Sequence, residues 1–212
     1  MGQDRTNERQ FTVLEGVAAP FMRENVDTDV VIRIERLVGP DRENLGPWAF
    51  ESLRYRPDGS ENPDFVLNHP HYRGARILLA GRNFGCGSSR EGAVWAIRGM
   101  GIRCVIAPSF GDIFFNNCFQ NGVLPIVLPQ AEVEALAEEA RAAAEAGATF
   151  TIDLEAQEVR TPGKRVVAFT VDPNRRQALL QGLDPIGATL LRDAEIAAFQ
   201  ARDRQERPWV YA

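Results

Sequence analysis

The stretch RILLAGRNFGCGSSREGAVWAIRGMGIRCVIAP, residues 76–108, decides the fold class. Its first part, RILLAG at 76–81, is a continuous apolar run of the kind that lies buried in a parallel sheet. A helix is predicted at about 89–100, ending near Gly99 or Gly101, and RCVIAP at 103–108 predicts the next strand. Strand, helix and strand at this spacing predict a βαβ unit.

The segments on either side of this unit continue the alternation of strands and helices. Apolar runs predict strands at 11–18, 30–32 and 123–128, and the sequences TFTIDLE and RVVAFTV predict a hairpin around the turn at 161–164. Helices are predicted over SFGDIFFNNCFQNG, with Ser109 as its cap and Asn121-Gly122 as its stop, and at 131–147, 174–181 and 193–204. Residues 39–63 predict a long surface excursion with a short helix near 48–54. The whole predicts one α/β domain with a mixed sheet.

Charge and hydropathy exclude several classes of partner. The chain has 212 residues and a formal net charge of −5, whereas broad binding to nucleic acid or to an anionic membrane needs a basic face. No apolar run approaches the roughly 18–20 residues of a membrane helix, and the polar N-terminus lacks the apolar core of a secretory signal. We therefore expect no nucleic-acid partner, no membrane partner and a cytoplasmic location.

The cysteine content indicates a chain that carries no metal site of its own. There are three cysteines, Cys86, Cys104 and Cys118, and no two of them form a Cys-x-x-Cys pair. An odd number without that spacing argues against a disulfide framework and against a zinc site or iron–sulfur cluster held by this chain alone. A reducing compartment fits this pattern.

The segment GCGSSREG, residues 85–92, allows a structural, a nucleotide-binding and a catalytic interpretation. Ser88 and Glu91 have the Ser-x-x-Glu spacing of a capping box, with Ser89 as a second possible cap. The glycines form G-x-G-x-x-x-x-G instead of the dinucleotide fingerprint, because Arg90 stands at the third glycine's position, and no Gly-Lys-Ser/Thr is present. The nucleotide interpretation is therefore disfavoured.

The catalytic interpretation accounts for the serines, the arginine and the glycines together. A helix N-terminus stabilises an alkoxide, an arginine fork binds a carboxylate, and glycines let a substrate approach the backbone. This set suits the removal of a proton next to a carboxylate. The chain lacks a G-x-S-x-G elbow, and its two histidines, His69 and His71, fall in a Pro/Gly loop where a surface role is favoured.

Six motifs, taken together, resemble one known family. They are NVDTD, NPDFVLN, NFGCGSSRE, VIAPSFGDIFFNNCFQNGVLP, DLEAQEV and GLDPIGATL, and in this order they are similar to the small subunits of 3-isopropylmalate dehydratase, relatives of aconitase, over roughly residues 10–200. The resemblance implies a single swivelling β/β/α domain of the aconitase type, with a mixed sheet flanked by helices, over 1–212, with polar tails at about 1–9 and 205–212.

The resemblance also implies a reaction and a partner. The activity would be a hydro-lyase that isomerises 2-isopropylmalate to 3-isopropylmalate through isopropylmaleate, a step of leucine biosynthesis. A separate large subunit would carry a [4Fe-4S] cluster, and the substrate would be a small dicarboxylic acid. A related hydro-lyase acting on another alkylmalate, or on a citraconate- or dimethylmaleate-like acid, is the alternative, and a non-catalytic binding protein on the same fold is a third hypothesis.

Residue roles carry over by motif. Ser88 corresponds to the serine that acts as alkoxide base, and Ser89 and Arg90 correspond to neighbours that bind a substrate carboxylate. Arg33 stands where the family commonly has a proline; a carboxylate contact and a solvent-facing role remain open for it, and we include it among the substrate-binding candidates. Arg82 and Gly92 are further departures, standing where the family often has an acidic residue and a histidine.

Two polar segments remain open between a site role and a structural one. Asp27, Thr28 and Asp29 would either form the floor of the site or serve as a turn between strands. Asp112, Asn116 and Asn117 would either border the cleft or make only helix-surface hydrogen bonds.

Overall fold

The strand predicted at 11–18 is shorter than expected, and a second strand that belongs to a different sheet begins at its last residue. In the computed structural model, which describes residues 9–38, 44–88 and 90–211, β1 spans Val13–Gly16 and β2 spans Ala18–Phe21. Between them, the Val17 carbonyl accepts hydrogen bonds from the backbone N–H groups of Arg76 and Ile77, at 3.1 and 3.2 Å. The sequence prediction missed the second strand because the change of sheet at Val17 is decided by contacts with residues distant in the sequence.

A parallel sheet lies at the centre of the protein. β3 (Ile77–Ala80), β4 (Cys104–Ala107) and β5 (Leu124–Val127) join β2 in the order β2-β3-β4-β5, and all three pairings are parallel. The βαβ unit predicted from residues 76–108 and the strand predicted at 123–128 are confirmed. The carboxyl ends of these strands lie at one edge, which is where open α/β sheets bind ligands.

Side chains of the parallel sheet alternate between two hydrophobic cores. On β3, Leu78 and Ala80 face one core while Ile77 and Leu79 face the other, and all four are fully buried. Burial on both faces is the reason that this strand is a continuous apolar run instead of an alternating pattern.

The segment predicted as a short strand at 30–32 is instead mostly helical. α1 spans Thr28–Val31 and α2 spans Ile34–Leu37. The Asp27 carboxylate accepts a hydrogen bond from the Asp29 N–H at 2.8 Å and so caps α1. The cap outweighs the strand propensity of the β-branched residues, of which Val31 and Ile32 are buried.

The predicted surface excursion is only partly on the surface. Residues 39–43 lie outside the described residues, and after them come a 3₁₀ turn at Gly46–Trp48 and α3 at Glu51–Arg54, which confirms the short helix expected at 48–54. Leu45, Ala49 and Phe50 are nevertheless buried in the core. The segment therefore serves as a packed connection.

Three longer helices cover the sheet. α4 spans Glu91–Gly99, α5 spans Asp112–Gln120 and α6 spans Gln130–Ala143. Ser109 does not cap α5, as the sequence predicted; Gly111 is the N-cap, and the Ser109 hydroxyl instead accepts a hydrogen bond from the Asn83 N–H at 2.9 Å. Helices α4 and α5 pack on one core, and α6 packs on the other.

The second sheet is antiparallel and contains a strand that the sequence prediction missed. β6 (Phe150–Asp153), β7 (Glu158–Arg160) and β8 (Val166–Ala168) pair with β1 in the order β1-β6-β7-β8. The turn at 161–164 therefore joins β7 to β8. The sequence predicted a hairpin in which this turn joins the strand now called β6 to β8, and that prediction is wrong. The predicted fold class is confirmed, with its strands divided between one parallel and one antiparallel sheet flanked by helices.

The C-terminal part of the chain is helical. α7 spans Pro173–Gln181, α8 spans Pro185–Leu190 and α9 spans Asp193–Glu206. The first and last were predicted to within two residues, whereas α8 was not predicted. Asp184 caps α8 by accepting a hydrogen bond from the Gly187 N–H at 2.7 Å, a start signal that GLDPIGATL does contain.

Candidate active site

Three loops meet at the carboxyl edge of the parallel sheet. The loops that follow β2, β3 and β4 are joined by backbone hydrogen bonds: the Gly85 N–H donates to the Val26 carbonyl at 2.8 Å, and the Phe84 N–H donates to the Ser109 carbonyl at 3.1 Å. The Thr28 N–H donates to the Cys86 carbonyl at 3.0 Å. The NVDTD and GCGSSRE motifs, distant in sequence, therefore form one structure.

Gly87 allows the two motifs to approach closely. Its φ of +84° lies in the left-handed region, and a Cβ at this position would overlap the Asp27 carboxylate. That carboxylate is the cap of α1. The glycine thus meets two requirements, a left-handed backbone and an empty space beside Asp27.

Ser88 is exposed at this junction and is held through its backbone. The hydroxyl of Thr28, which is completely buried, donates a hydrogen bond to the Ser88 carbonyl at 2.9 Å. The capping box predicted between Ser88 and Glu91 does not form, because α4 begins with Arg90 as its N-cap and that residue makes no side-chain capping bond. Helix α4 begins at Glu91, so Ser88 lies outside it.

Arg90 is drawn back across the junction by an ion pair. Its guanidinium group donates to the Asp29 carboxylate, and its side chain is only 19% exposed. Asp29 follows the cap of α1, so the ion pair connects the start of α1 to the start of α4. Ser89, the second predicted carboxylate ligand, lies outside the described residues.

A cavity of about 370 Å³ lies beside this ion pair. It is lined by Asp29, Val30, Arg33, Ile34, Glu35, Ser52 and Arg90. The structure therefore brings the predicted residues Arg33 and Arg90 to one cavity, with two cationic and two anionic side chains around apolar walls. Ser88, in the adjoining loop, is not among the described residues that line it.

Arg33 is the less constrained of the two arginines. Its Nε lies 3.5 Å from Glu35 Oε2, and its side chain is 56% exposed. The neighbouring Arg36 is held more firmly: it donates two hydrogen bonds to the Glu51 carboxylate, at 3.1 and 2.5 Å, and its guanidinium group stacks 3.5 Å from the centre of the Trp48 ring. This contact anchors α2, which borders the cavity.

Comparisons with known proteins identify the family of this chain. The family model described as the aconitase C-terminal domain matches residues 8–131, the LeuD_N model matches 138–173, and the model for the C-terminal domain of the 3-isopropylmalate dehydratase small subunit matches 186–212. Among curated relatives, the 3-isopropylmalate dehydratase small subunit of Parvibaculum lavamentivorans is 54% identical over 201 residues, covering 95% of this chain and 99% of the relative. That of Rhodospirillum centenum is 56% identical over 203 residues, covering 95% and 98%.

The chain belongs to the family of 3-isopropylmalate dehydratase small subunits. Among solved structures, the crystal structure of 3-isopropylmalate dehydratase (leuD) from Methanocaldococcus jannaschii has a TM-score of 0.63 and 26% identity, and the match covers 88% of this chain and 98% of that chain. The family and the aconitase-type fold expected from the sequence motifs are therefore confirmed.

Arg82 and Gly92, the two further departures from the family pattern, each make a contact away from the cavity. Arg82 forms an exposed ion pair with Glu24 at 3.2 Å. Gly92 is buried, and a Cβ there would overlap the side chain of Leu37, so this glycine permits α2 to pack against α4. Neither position lines the cavity, on the part of the chain that the structure describes.

The remaining candidates lie away from the cavity. His69 and His71 are exposed on a turn, with ring centres 4.8 Å apart, as the sequence analysis favoured. Asn116 Oδ1 accepts a hydrogen bond from Arg175 at 2.7 Å, and the Asn117 carbonyl accepts one from the Asn121 side chain at 2.9 Å. Asn116 thus connects α5 to α7, whereas the bond of Asn117 lies within the last turn of α5.

The described residues provide no cradle for an iron–sulfur cluster. Within 9–38, 44–88 and 90–211, no group of three or more His, Cys, Asp or Glu side chains is arranged to hold a metal ion. Cys104 and Cys118 are fully buried, and burial raises the pKa of both thiols, which disfavours the thiolate that a metal requires. Within the same ranges, no helix is both long and apolar enough to cross a membrane.

Proposed function

We propose that this chain, with a separate large subunit, isomerises 2-isopropylmalate to 3-isopropylmalate through isopropylmaleate in leucine biosynthesis. The observation that carries the proposal is the junction of the two motifs, where Thr28 holds the Ser88 backbone and Asp29 holds Arg90 beside one cavity. The family relationship supports the same activity.

Ser88 is the proposed base. In the elimination its alkoxide takes the proton from the carbon next to a substrate carboxylate, the electrons of the C–H bond form the double bond, and the hydroxyl on the neighbouring carbon departs. Readdition of water with the opposite orientation completes the isomerisation. A serine hydroxyl is a weak base in water, so the alkoxide needs the N–H groups at the start of α4, a nearby cation and exclusion of solvent.

Arg90 is the proposed carboxylate ligand, and Asp29 is its partner before substrate binds. The guanidinium fork matches a carboxylate in geometry, and Asp29 already engages it from the cavity side. A substrate carboxylate would exchange with this internal one. Ser89 is proposed as a second ligand of the same carboxylate, and Arg33, across the cavity, as a further cation for a dicarboxylic acid.

The large subunit is proposed to carry a [4Fe-4S] cluster, whose iron supplies Lewis-acid chemistry for the departing hydroxyl. Two features of this chain support the need for a partner: Ser88 is exposed, and the cavity holds no metal ligand set of its own among the described residues. A base of this kind works only where water is excluded, and a docked second subunit would exclude it.

The proposal treats residues 1–212 as one swivelling domain in the cytoplasm. Cys86, Cys104 and Cys118 are all free thiols, which supports a reducing compartment.

The test is reconstitution with the large subunit under anaerobic conditions. We expect turnover of 3-isopropylmalate, and we expect Ser88→Ala to lower kcat by at least about a hundredfold while the complex still forms. Ser60→Ala is the matched control, because Ser60 is an exposed serine that bonds only within its own turn, to Asp58 at 2.6 Å. Wild-type turnover by Ser88→Ala would remove the serine from the mechanism.

The substrate is tested in the same complex. Comparing kcat/KM for 3-isopropylmalate with that for citraconate and dimethylmaleate separates the proposed activity from the related hydro-lyase. A clear preference for one of the smaller acids would overturn the proposed substrate.

A further inference from the structure

Helix α4 begins directly after the loop of the proposed site. Arg90 occupies the N-cap position and makes no capping hydrogen bond, although the first N–H groups of a helix usually have one. Glu91, which the sequence paired with Ser88, points its carboxylate elsewhere. A tertiary contact holds this carboxylate instead.

That contact is Asn121, at the end of α5. Its Nδ2 donates to Glu91 Oε1 and to the Asn117 carbonyl, and its Oδ1 accepts from Trp95 Nε1, each at 2.9 Å. The residue is only 6% exposed. Because the indole only donates and the carboxylate only accepts, a single orientation of the amide satisfies all three bonds.

The two residues that Asn121 holds on α4 are one helical turn apart. Glu91 and Trp95 have i, i+4 spacing and so lie on the same face. Asn121 thereby fixes both the position and the rotation of the first turn of α4, and Arg90 immediately precedes that turn.

The beginning of the loop that carries Ser88 and Arg90 is also anchored to α5. The Gly111 N–H, at the start of α5, donates to the Phe84 carbonyl at 2.9 Å. One helix, α5, therefore fixes the loop of Ser88 and Arg90 on both sides: at Phe84 through its beginning and at Glu91 through its end.

We propose that Asn121 is a positioning residue for the dehydratase reaction and acts through Glu91. The inference rests on the proposed function, since it gives the loop between Phe84 and Glu91 its catalytic meaning. Loss of the bond between Asn121 and Glu91 lets the first turn of α4 shift, and a misplacement of about 1 Å at a reacting group costs up to about a hundredfold in rate.

The experiment measures kcat and KM for 3-isopropylmalate in the complex with the large subunit. We expect Glu91→Ala and Asn121→Ala each to lower kcat by at least about tenfold, with a smaller change in KM. Glu91→Gln keeps a side-chain carbonyl that accepts from Asn121, so it should stay within about threefold of wild type. The double variant Glu91→Ala/Asn121→Ala should be no worse than Asn121→Ala alone, because each single change already removes the hydrogen bond between Asn121 and Glu91.

Thermal unfolding and binding to the large subunit are measured for every variant. Glu138→Ala, an exposed Glu→Ala change on α6 whose 75% exposed side chain pairs with Arg141, is the matched control. Wild-type kcat in Glu91→Ala would overturn the inference. Equal losses in Glu91→Gln and Glu91→Ala would overturn it too, since the charge and not the hydrogen bond would then matter.

Ser88→Ala, assayed in parallel, separates the two proposals. If Ser88→Ala is inactive while Glu91→Ala turns over normally, the positioning inference fails and the proposed function survives. If Ser88→Ala remains active, Ser88 is not the catalytic base and the proposed function fails in that respect, whatever the Glu91 variants do.

Discussion

The buried hydroxyl of Thr28 donates a hydrogen bond to the carbonyl of Ser88, a residue 60 positions further along the chain. The two residues lie in the segments that follow β2 and β3, and their bond joins the NVDTD motif to the GCGSSRE motif. A polar threonine in the core thus fixes the backbone that carries the proposed base.

Thr28→Val keeps the shape of the side chain and removes only the hydroxyl. We expect the free energy of unfolding to fall by about 1 kcal/mol, the usual value of one such bond, and kcat of the reconstituted complex to fall several-fold because the Ser88 loop is released. Urea denaturation and steady-state kinetics measure the two effects. Thr149→Val, which removes an exposed bond to Glu15, is the control and should change neither. Unchanged kcat in Thr28→Val would mean that this bond does not position Ser88.

Gly87→Ala tests the close approach between Gly87 and Asp27. Alanine at this position must adopt a strained left-handed backbone conformation. Its Cβ overlaps the Asp27 carboxylate, which breaks the cap of α1. Gly74 has the same φ of +84°, and a Cβ added there would meet nothing within 4 Å, so Gly74→Ala reports the strain alone, about 1 kcal/mol. We expect urea denaturation to show that Gly87→Ala costs at least about 1 kcal/mol more than Gly74→Ala. Equal costs would contradict the role given to Asp27.

Arg90→Lys tests the carboxylate fork. Lysine keeps the charge and loses the bidentate geometry, so we expect KM for 3-isopropylmalate to rise at least about tenfold. Arg33→Lys should raise KM less than about threefold, because Arg33 is more exposed than Arg90 and its charge is better screened by solvent. Arg82→Lys, on an exposed ion pair with Glu24, is the control. A larger effect at Arg33 than at Arg90 would reverse the assignment of the two arginines.

Glu51→Gln tests the anchor of α2 through its pH dependence. The hydrogen bond from Arg36 holds the pKa of the Glu51 carboxyl below its ordinary value. Because the folded-state pKa is lowered, the stabilisation is complete above the unfolded-state pKa of about 4.3. It is lost as the pH falls through the folded-state pKa. The difference in Tm between wild type and Glu51→Gln should therefore be largest above about pH 5 and shrink in acid. A difference in Tm that is constant from pH 7 to pH 3 would contradict this ion pair as its source.

Local sequence signals predicted the elements whose causes are local. The apolar run at 77–80 could only be a buried parallel strand, and the glycine after α4 and the Asn121-Gly122 pair ended their helices where expected. The predictions failed where distant contacts decide. The cap made by Asp27 favours α1 where the sequence predicted a strand. At Val17 the chain passes from one sheet to the other, and the Val17 carbonyl accepts hydrogen bonds from Arg76 and Ile77.

The sequence by itself determined the α/β class, the βαβ unit, the family and the candidates Ser88, Ser89, Arg90 and Arg33. The α/β class and the βαβ unit depend on periodicity and turn chemistry, which act over a few residues at a time, whereas the family and the candidates rest on the resemblance of six motifs. Only the tertiary structure decided that Thr28 holds Ser88, that Asp29 pairs with Arg90 and that Glu91 turns away from Ser88 toward Asn121. Each of these contacts joins residues at least 30 positions apart, so their formation depends on how the fold brings distant segments of the chain together.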